Sequence, residues 1–163
     1  MLGALLSLSL AACQNSGSPS AQMPNPFTDH AAMEEAEKAA GFDLSVPETI
    51  EPFSGRIIRT MTGEDTDSMI EVIYCNDDEN GETNRDEIRI RKAAGNEDIS
   101  GDYTDYAENS TVTIDNIPVS VKGENGRIQL ATWSRGDYTY SIGFYFDTGI
   151  SREDLNGFIT SIQ

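Results

Sequence analysis

The chain has 163 residues, with 28 acidic against 11 basic side chains, a formal net charge of −17 and 37% hydrophobic residues. That length provides for one domain and a tail, not two cores. The charge argues against nucleic acid and against an electrostatic hold on anionic lipid, because few cations are available to meet phosphates. One histidine and two cysteines are too few for a structural zinc site, and no cofactor is expected.

Met1 to Ala12 is apolar and uncharged and ends in Leu10-Ala11-Ala12-Cys13. A dozen residues cannot span a bilayer as a helix but match the apolar region of a signal peptide. The stretch resembles the bacterial lipobox, which implies that Cys13 is diacylated, becomes the mature N-terminus and anchors the chain to the membrane. No Lys or Arg precedes the apolar run, so the expectation is either a start a few residues upstream of Met1 or a trimmed leader. The following stretch, Gln14 to Pro26 (QNSGSPSAQMPNP), has the composition of a flexible tether. Its mean reach is about 20 Å. The expected organisation is therefore residues 1–13 as signal peptide and lipobox, 14–26 as tether, and 27–163 as a single extracytoplasmic domain held at the outer face of the cell membrane. With Cys13 lipidated, Cys75 has no disulfide partner within the chain, and at the end of an apolar stretch it reads as a small half-buried residue.

In chain order, the domain opens with a helix expected from about His30 to Ala40, capped by Thr28 or Asp29 and stopped by Gly41. Phe42 to Pro47 alternates apolar and polar residues and should run extended. Strands follow at Arg56–Thr62, Met69–Cys75 and Glu87–Lys92. Ala93 to Glu108 breaks the alternation and reads as a loop. Four further strands are expected at Thr111–Asp115, Ile117–Lys122, Arg127–Trp133 and Tyr138–Phe146, with tight turns at Asp115-Asn116, Asn125-Gly126 and Arg135-Gly136. Pro118 cannot donate to a ladder, which places its strand at an edge or bulge. Ile128, Leu130 and Thr132 are expected on one face of their strand, and Tyr138, Tyr140, Ile142, Phe144 and Phe146 on one face of theirs. A last helix begins at the cap Ser151, with Asp154 at its third position and Leu155, Phe158, Ile159 and Ile162 along one stripe. The fold class is α+β: a curved antiparallel sheet of about six or seven strands with an N-terminal and a C-terminal helix packed on it.

Asn25-Pro26-Phe27, Glu35 to Phe42, Val46-Pro47, Ala131-Thr132-Trp133, Gly136 to Ile142 and the closing Ser-x-x-Asp-Leu helix form an ordered set. Together they resemble an uncharacterised extracytoplasmic domain of Gram-positive lipoproteins and anti-sigma-factor-like membrane proteins. The resemblance covers nearly all of residues 25–163. It implies location and architecture and no catalytic residues; Trp133, Tyr138 and Tyr140 read as packing aromatics.

Asn76, Asp78, Asn80, Gly81, Glu82 and Glu87 have the spacing of a calcium loop, in which oxygens converge on a hard cation. Asn stands where Asp is usual, Arg85 adds a positive charge, and strands flank the loop in place of helices. The expectation is therefore a solvated hairpin tip with an Asn-Gly turn, and no metal. Arg135-Gly136-Asp137 spells an adhesion tripeptide, but a tight turn demands the same residues. His30 reads as a surface or capping residue. Tyr103 and Tyr106 read as anchors of the irregular segment on the sheet. There is no phosphate-cradling glycine loop, nucleophile-elbow serine or His-x-x-x-His pair. The leading expectation is a non-enzymatic surface lipoprotein domain that binds an envelope protein partner or senses envelope conditions. The rival is a carrier of a small apolar ligand between sheet and C-terminal helix, and an enzyme ranks third.

Overall fold

The structure, a computed structural model, describes residues 25–63, 66–76 and 86–163. Ten elements follow in order: β1 (Phe27–His30), α1 (Met33–Ala40), β2 (Gly55–Gly63), β3 (Thr66–Cys75), β4 (Glu87–Ala94), β5 (Glu108–Ile114), β6 (Ile117–Glu124), β7 (Arg127–Arg135), β8 (Tyr138–Tyr145) and α2 (Arg152–Ser161). The strands form one open antiparallel sheet of eight, in the order β1-β2-β3-β4-β8-β7-β6-β5. The sheet thus consists of two four-stranded meanders that meet along the β4–β8 ladder.

The extra strand is β1, whose Phe27 to His30 pair with Met61 to Ile58. Thr28 and Asp29 lie in that ladder, so neither caps the helix, which starts at Met33 behind Ala32 without a side-chain cap. Gly41 ends it as expected, in the left-handed region at φ 85° with its N–H on Glu37 O. The stretch after it is irregular: Ser45 exchanges two main-chain hydrogen bonds with Gln163, at 2.9 and 3.1 Å. The two hairpin turns at 115–116 and 125–126 form as their dipeptides demand, all four residues having positive φ. Pro118 belongs to an interior strand, not an edge. It lies just outside the β7 ladder, which begins at the Val119–Trp133 pair, so its missing N–H interrupts nothing on that side.

Register gives each face of the sheet its character. One cross-strand row reads Ile58, Val72, Ile90, Ile142, Ala131 and Val121, all buried. Both helices pack on this face: Ala36 of α1 and Leu155 and Ile159 of α2 are buried in the same cluster, which Ile162 completes beyond the helix end. Trp133 and Tyr140 stack there with ring centroids 5.3 Å apart, and Tyr138 packs against the cluster. One position along, the opposite face reads Arg59, Glu71, Arg91, Ser141, Thr132 and Ser120. A bulge corrects one expectation. Lys122 pairs with Leu130 but Gly123 pairs with Ile128, so Gln129 is the extra residue, and Ile128 turns to the helix-bearing face while Leu130 and Thr132 stay on the other.

The 95–107 segment links the meanders across the polar face. Gly95 O accepts from the Thr139 hydroxyl at 2.7 Å, and Ile99 O and Ser100 O accept from the Arg91 guanidinium at 2.8 and 2.5 Å. Under this strap Glu71 is fully buried, bound by Arg59 Nε and by Arg91 Nε at 2.5 Å, with Arg89 Nε 3.6 Å away. Burial of a lone carboxylate is prohibitive, and three guanidiniums from the two neighbouring strands make it tolerable. Lys92, 7% exposed on the helix-bearing face, is held in the same spirit: its ammonium donates to Asp43 O at 2.6 Å and lies 4.7 to 5.7 Å from the centroids of Phe42, Tyr138 and Tyr140.

Candidate binding groove

At the end of the sheet where β4 begins and β8 ends, two hollows adjoin. The first, about 550 Å³, opens between α2 and the 50–53 segment. Its floor is Ile50, Phe53, Ile88, Phe146, Ile150 and Phe158, and its rim carries Glu51, Asp86, Asp147 and Asp154. The sequence builds it simply. The segment before β2 brings Ile50 and Phe53 over the sheet end, and α2 starts two residues after Ile150, so Phe158 leans in from above. Phe144 meets Phe158 at 5.4 Å and Phe146 at 6.1 Å, which backs the floor with aromatic packing. Ser151 and Asp154 form a reciprocal capping box that fixes the start of α2, as the sequence predicted.

The second hollow, about 390 Å³, continues round the same end onto the polar face. It shares Asp86, Phe146 and Asp147 with the first and adds Asp105, Tyr106, Glu124 and Tyr145. Asp102 organises its wall, accepting from Thr104 N–H at 2.9 Å and from the Tyr106 hydroxyl at 2.7 Å. Burial works to raise the Asp102 pKa, but hydrogen bonds from Thr104, Tyr106 and Tyr145 outweigh it, and the carboxyl is held below its ordinary value. Burial, then the Asp102 charge, pushes Tyr145 up to about 12 and raises Tyr106 as well. These phenols therefore stay protonated and serve as donors. Asp154 is likewise held low, by the Ser151 hydrogen bonds. Both displaced carboxylates move away from the direction a general acid requires.

A larger depression of about 690 Å³ beside α1 is lined by Glu34, Glu37, Asp43 and Glu48, and Arg56 answers their charge within the same wall. In the two adjoining hollows no Lys, Arg or His lines the described walls. Arg127 borders a neighbouring hollow, and its guanidinium donates to Thr148 O and Gly149 O, both at 2.9 Å.

The remaining sequence candidates lie elsewhere. His30 is half-buried in β1 and neither caps nor faces solvent freely, since its Nε2 sits 2.9 Å from Thr60 Oγ1. Cys75 is more deeply buried than expected, at 2% exposure. Tyr103 is 97% exposed and anchors nothing, in contrast to Tyr106. Arg135 of the tripeptide donates to Ile162 O and Ile159 O at 2.9 and 3.4 Å, so it caps the end of α2 in place of presenting itself to a receptor. Asn76 accepts from Ser54 N–H at 3.0 Å, and Glu87 pairs with Arg89. Asp78, Asn80 and Glu82 fall outside the described residues, as does Cys13. Among the described residues no three His, Cys, Asp or Glu side chains are placed to hold a metal ion, and no helix is long and apolar enough to cross a membrane.

Sequence reasoning missed the hollows because their walls come from residues 50–53, 76, 86–88, 104–106, 124, 129 and 144–158, which come together only when β8 pairs with both β4 and β7. No protein-family model, curated protein or solved structure matches this chain.

Proposed function

We propose that this chain is a non-enzymatic binding domain, tethered to the outer face of the cell membrane through a lipid on Cys13, whose working element is the hollow between α2 and the 50–53 segment. The observation that carries the reading is an open hollow of about 550 Å³ with an apolar floor that continues the buried core. Phe53, Phe146 and Phe158 are each half-buried and turn part of their rings toward the same mouth, which favours a partner. The anchor rests on the lipobox-like Leu10 to Cys13 and the tether-like 14–26, and the resemblance to extracytoplasmic lipoprotein domains supports the same placement. An envelope protein is the favoured occupant because the hollow is open along one side. The volume also falls in the range that small molecules fill, which keeps a small apolar ligand as the second reading.

Two measurements test this. Cys13→Ser should move the protein from the membrane to the soluble fraction, and unchanged membrane association refutes the anchor. The full-length Cys13→Ser chain should bind a neutral solvatochromic dye such as Nile red, and Phe53→Asp should abolish most of that binding. A dye signal indifferent to Phe53→Asp removes the hollow from consideration.

A further inference from the structure

We infer that the occupant of this end of the molecule is a cationic amphipathic peptide segment, lying along the trough that the two adjoining hollows make. The inference rests on the binding role assigned above to the first hollow and adds what fills it.

Six carboxylates border the trough, Glu51, Asp86, Asp105, Glu124, Asp147 and Asp154, and no described basic side chain lines it. Asp154 is committed to the cap of α2. The other five are exposed at the rim. The floor of the first hollow is apolar, from Ile50, Phe53 and Phe158 to Phe146, which both hollows share. Beyond it Phe144 and Tyr145 are the apolar and aromatic part of a second hollow whose wall is otherwise polar, with Thr104, Tyr106 and Gln129. A purely apolar ligand would leave the rim charges repelling one another across a dry floor, and an anion would be rejected outright. A compact organic cation would fill one hollow and leave the second unused. A peptide with alternating apolar and basic residues fits both parts, because in an extended chain successive side chains point to opposite sides. Its apolar side chains meet the floor, and its lysines or arginines meet the rim. Beside α1 the acids share their hollow with Arg56, whereas Arg127, which shares a flanking hollow with Glu124 and Asp147, lies outside the trough lining and donates to Thr148 O and Gly149 O. The overall charge of −17 adds long-range attraction for such a segment.

The experiment uses the full-length Cys13→Ser chain and three fluorescent dodecapeptides in which leucine alternates with lysine, glutamine or glutamate. The lysine peptide should bind at least about tenfold more tightly than the glutamine peptide, with no binding of the glutamate peptide. Raising salt from about 50 to 500 mM should erase most of that advantage. Glu51→Gln/Asp86→Asn/Asp147→Asn should weaken the lysine peptide about tenfold. The remote triple variant Asp29→Asn/Glu34→Gln/Glu97→Gln, with the same change in net charge, should weaken it by less than about twofold. Equal losses from the two triple variants mean attraction by net charge alone and overturn the inference. Equal binding of the lysine and glutamine peptides, both blocked by Phe53→Asp, overturns the cationic occupant while leaving the apolar hollow in place. Lysine-peptide binding that Phe53→Asp does not affect overturns both readings.

Discussion

Glu71→Gln is the most informative single change to the fold. The carboxylate is fully buried and accepts on both oxygens from guanidiniums of β2 and β4, so an amide of the same shape removes the charge and sets an NH2 donor against one guanidinium N–H. Arg91, whose side chain is 9% exposed, dominates the effect because it cannot turn to water. Stranding one member of a buried pair costs about 3–5 kcal/mol. Arg59 and Arg89, with side chains 23% and 26% exposed, keep partial solvation. Their pairing adds about 0.5 kcal/mol each after screening. The sum is about 4–6 kcal/mol, and for a chain of this size each kcal/mol moves Tm by about 2–4 °C, so a fall of about 8–24 °C is expected. Arg59→Met leaves Glu71 with Arg91 and should lower Tm by only about 1–2 °C. Thermal unfolding followed by circular dichroism distinguishes the two. A Glu71→Gln protein melting within about 2 °C of the parent, or an Arg59→Met protein equally damaged, refutes the view that Glu71 is the hub of this network.

Three other outcomes are expected. A Cβ on Gly123 would lie 1.9 Å from Arg127 O across the β6–β7 bulge, whereas one on Gly157 of α2 would meet nothing within 4 Å. Gly123→Ala should therefore cost about 3 kcal/mol or more in urea unfolding while Gly157→Ala gains about 0.5–1 kcal/mol, and equal effects would contradict the bulge. Tyr74 and Tyr145 are raised to about 12, chiefly by burial, and Tyr106 is raised too. A raised folded pKa gives stability that is complete below the unfolded value near 10 and lost as pH climbs above it, so stability should fall from about pH 10 toward 12. Ultraviolet titration should find these three of the six tyrosines still protonated at about pH 11, and full ionisation by then in a folded protein would disprove their burial. Calcium at about 1 mM should shift Tm by less than about 1 °C, whereas a rise of several degrees would reassign Asn76 to Glu87 as an ion-binding loop.

Much of the fold is legible in the sequence where a local rule suffices. Alternation marks seven strands from Gly55 to Tyr145 to within a few residues, and the Asp-Asn and Asn-Gly dipeptides mark their turns. Ser151 and Asp154 announce the last helix. What escapes is whatever depends on a distant neighbour. Phe27 to His30 resembles a helix cap until β2 supplies hydrogen bonds for it, and the β7 bulge reverses Ile128 through a register shift that no periodicity records. Glu71 amid Met69, Ile70, Val72 and Ile73 reads as an outward-facing acid. The available signal was the Arg89-x-Arg91 pair on the next predicted strand, but burial also requires the strap at Ile99 and Ser100. The trough escapes for the same reason, since its acids are spread over more than a hundred positions and look alike among 28.

The meeting of two meanders at a single seam has a bearing on how the molecule assembles. Within each half every strand pairs with its neighbour in sequence, so loop closure costs little. Joining the halves matches Glu87–Ala94 with Tyr138–Tyr145, roughly fifty residues apart at the centre of the ladder, and only then is the aromatic floor continuous across β4 and β8. The seam is thus the ladder with the greatest loop-closure cost in the sheet, and the surface offered to a visitor needs both halves joined, since neither half alone contains it.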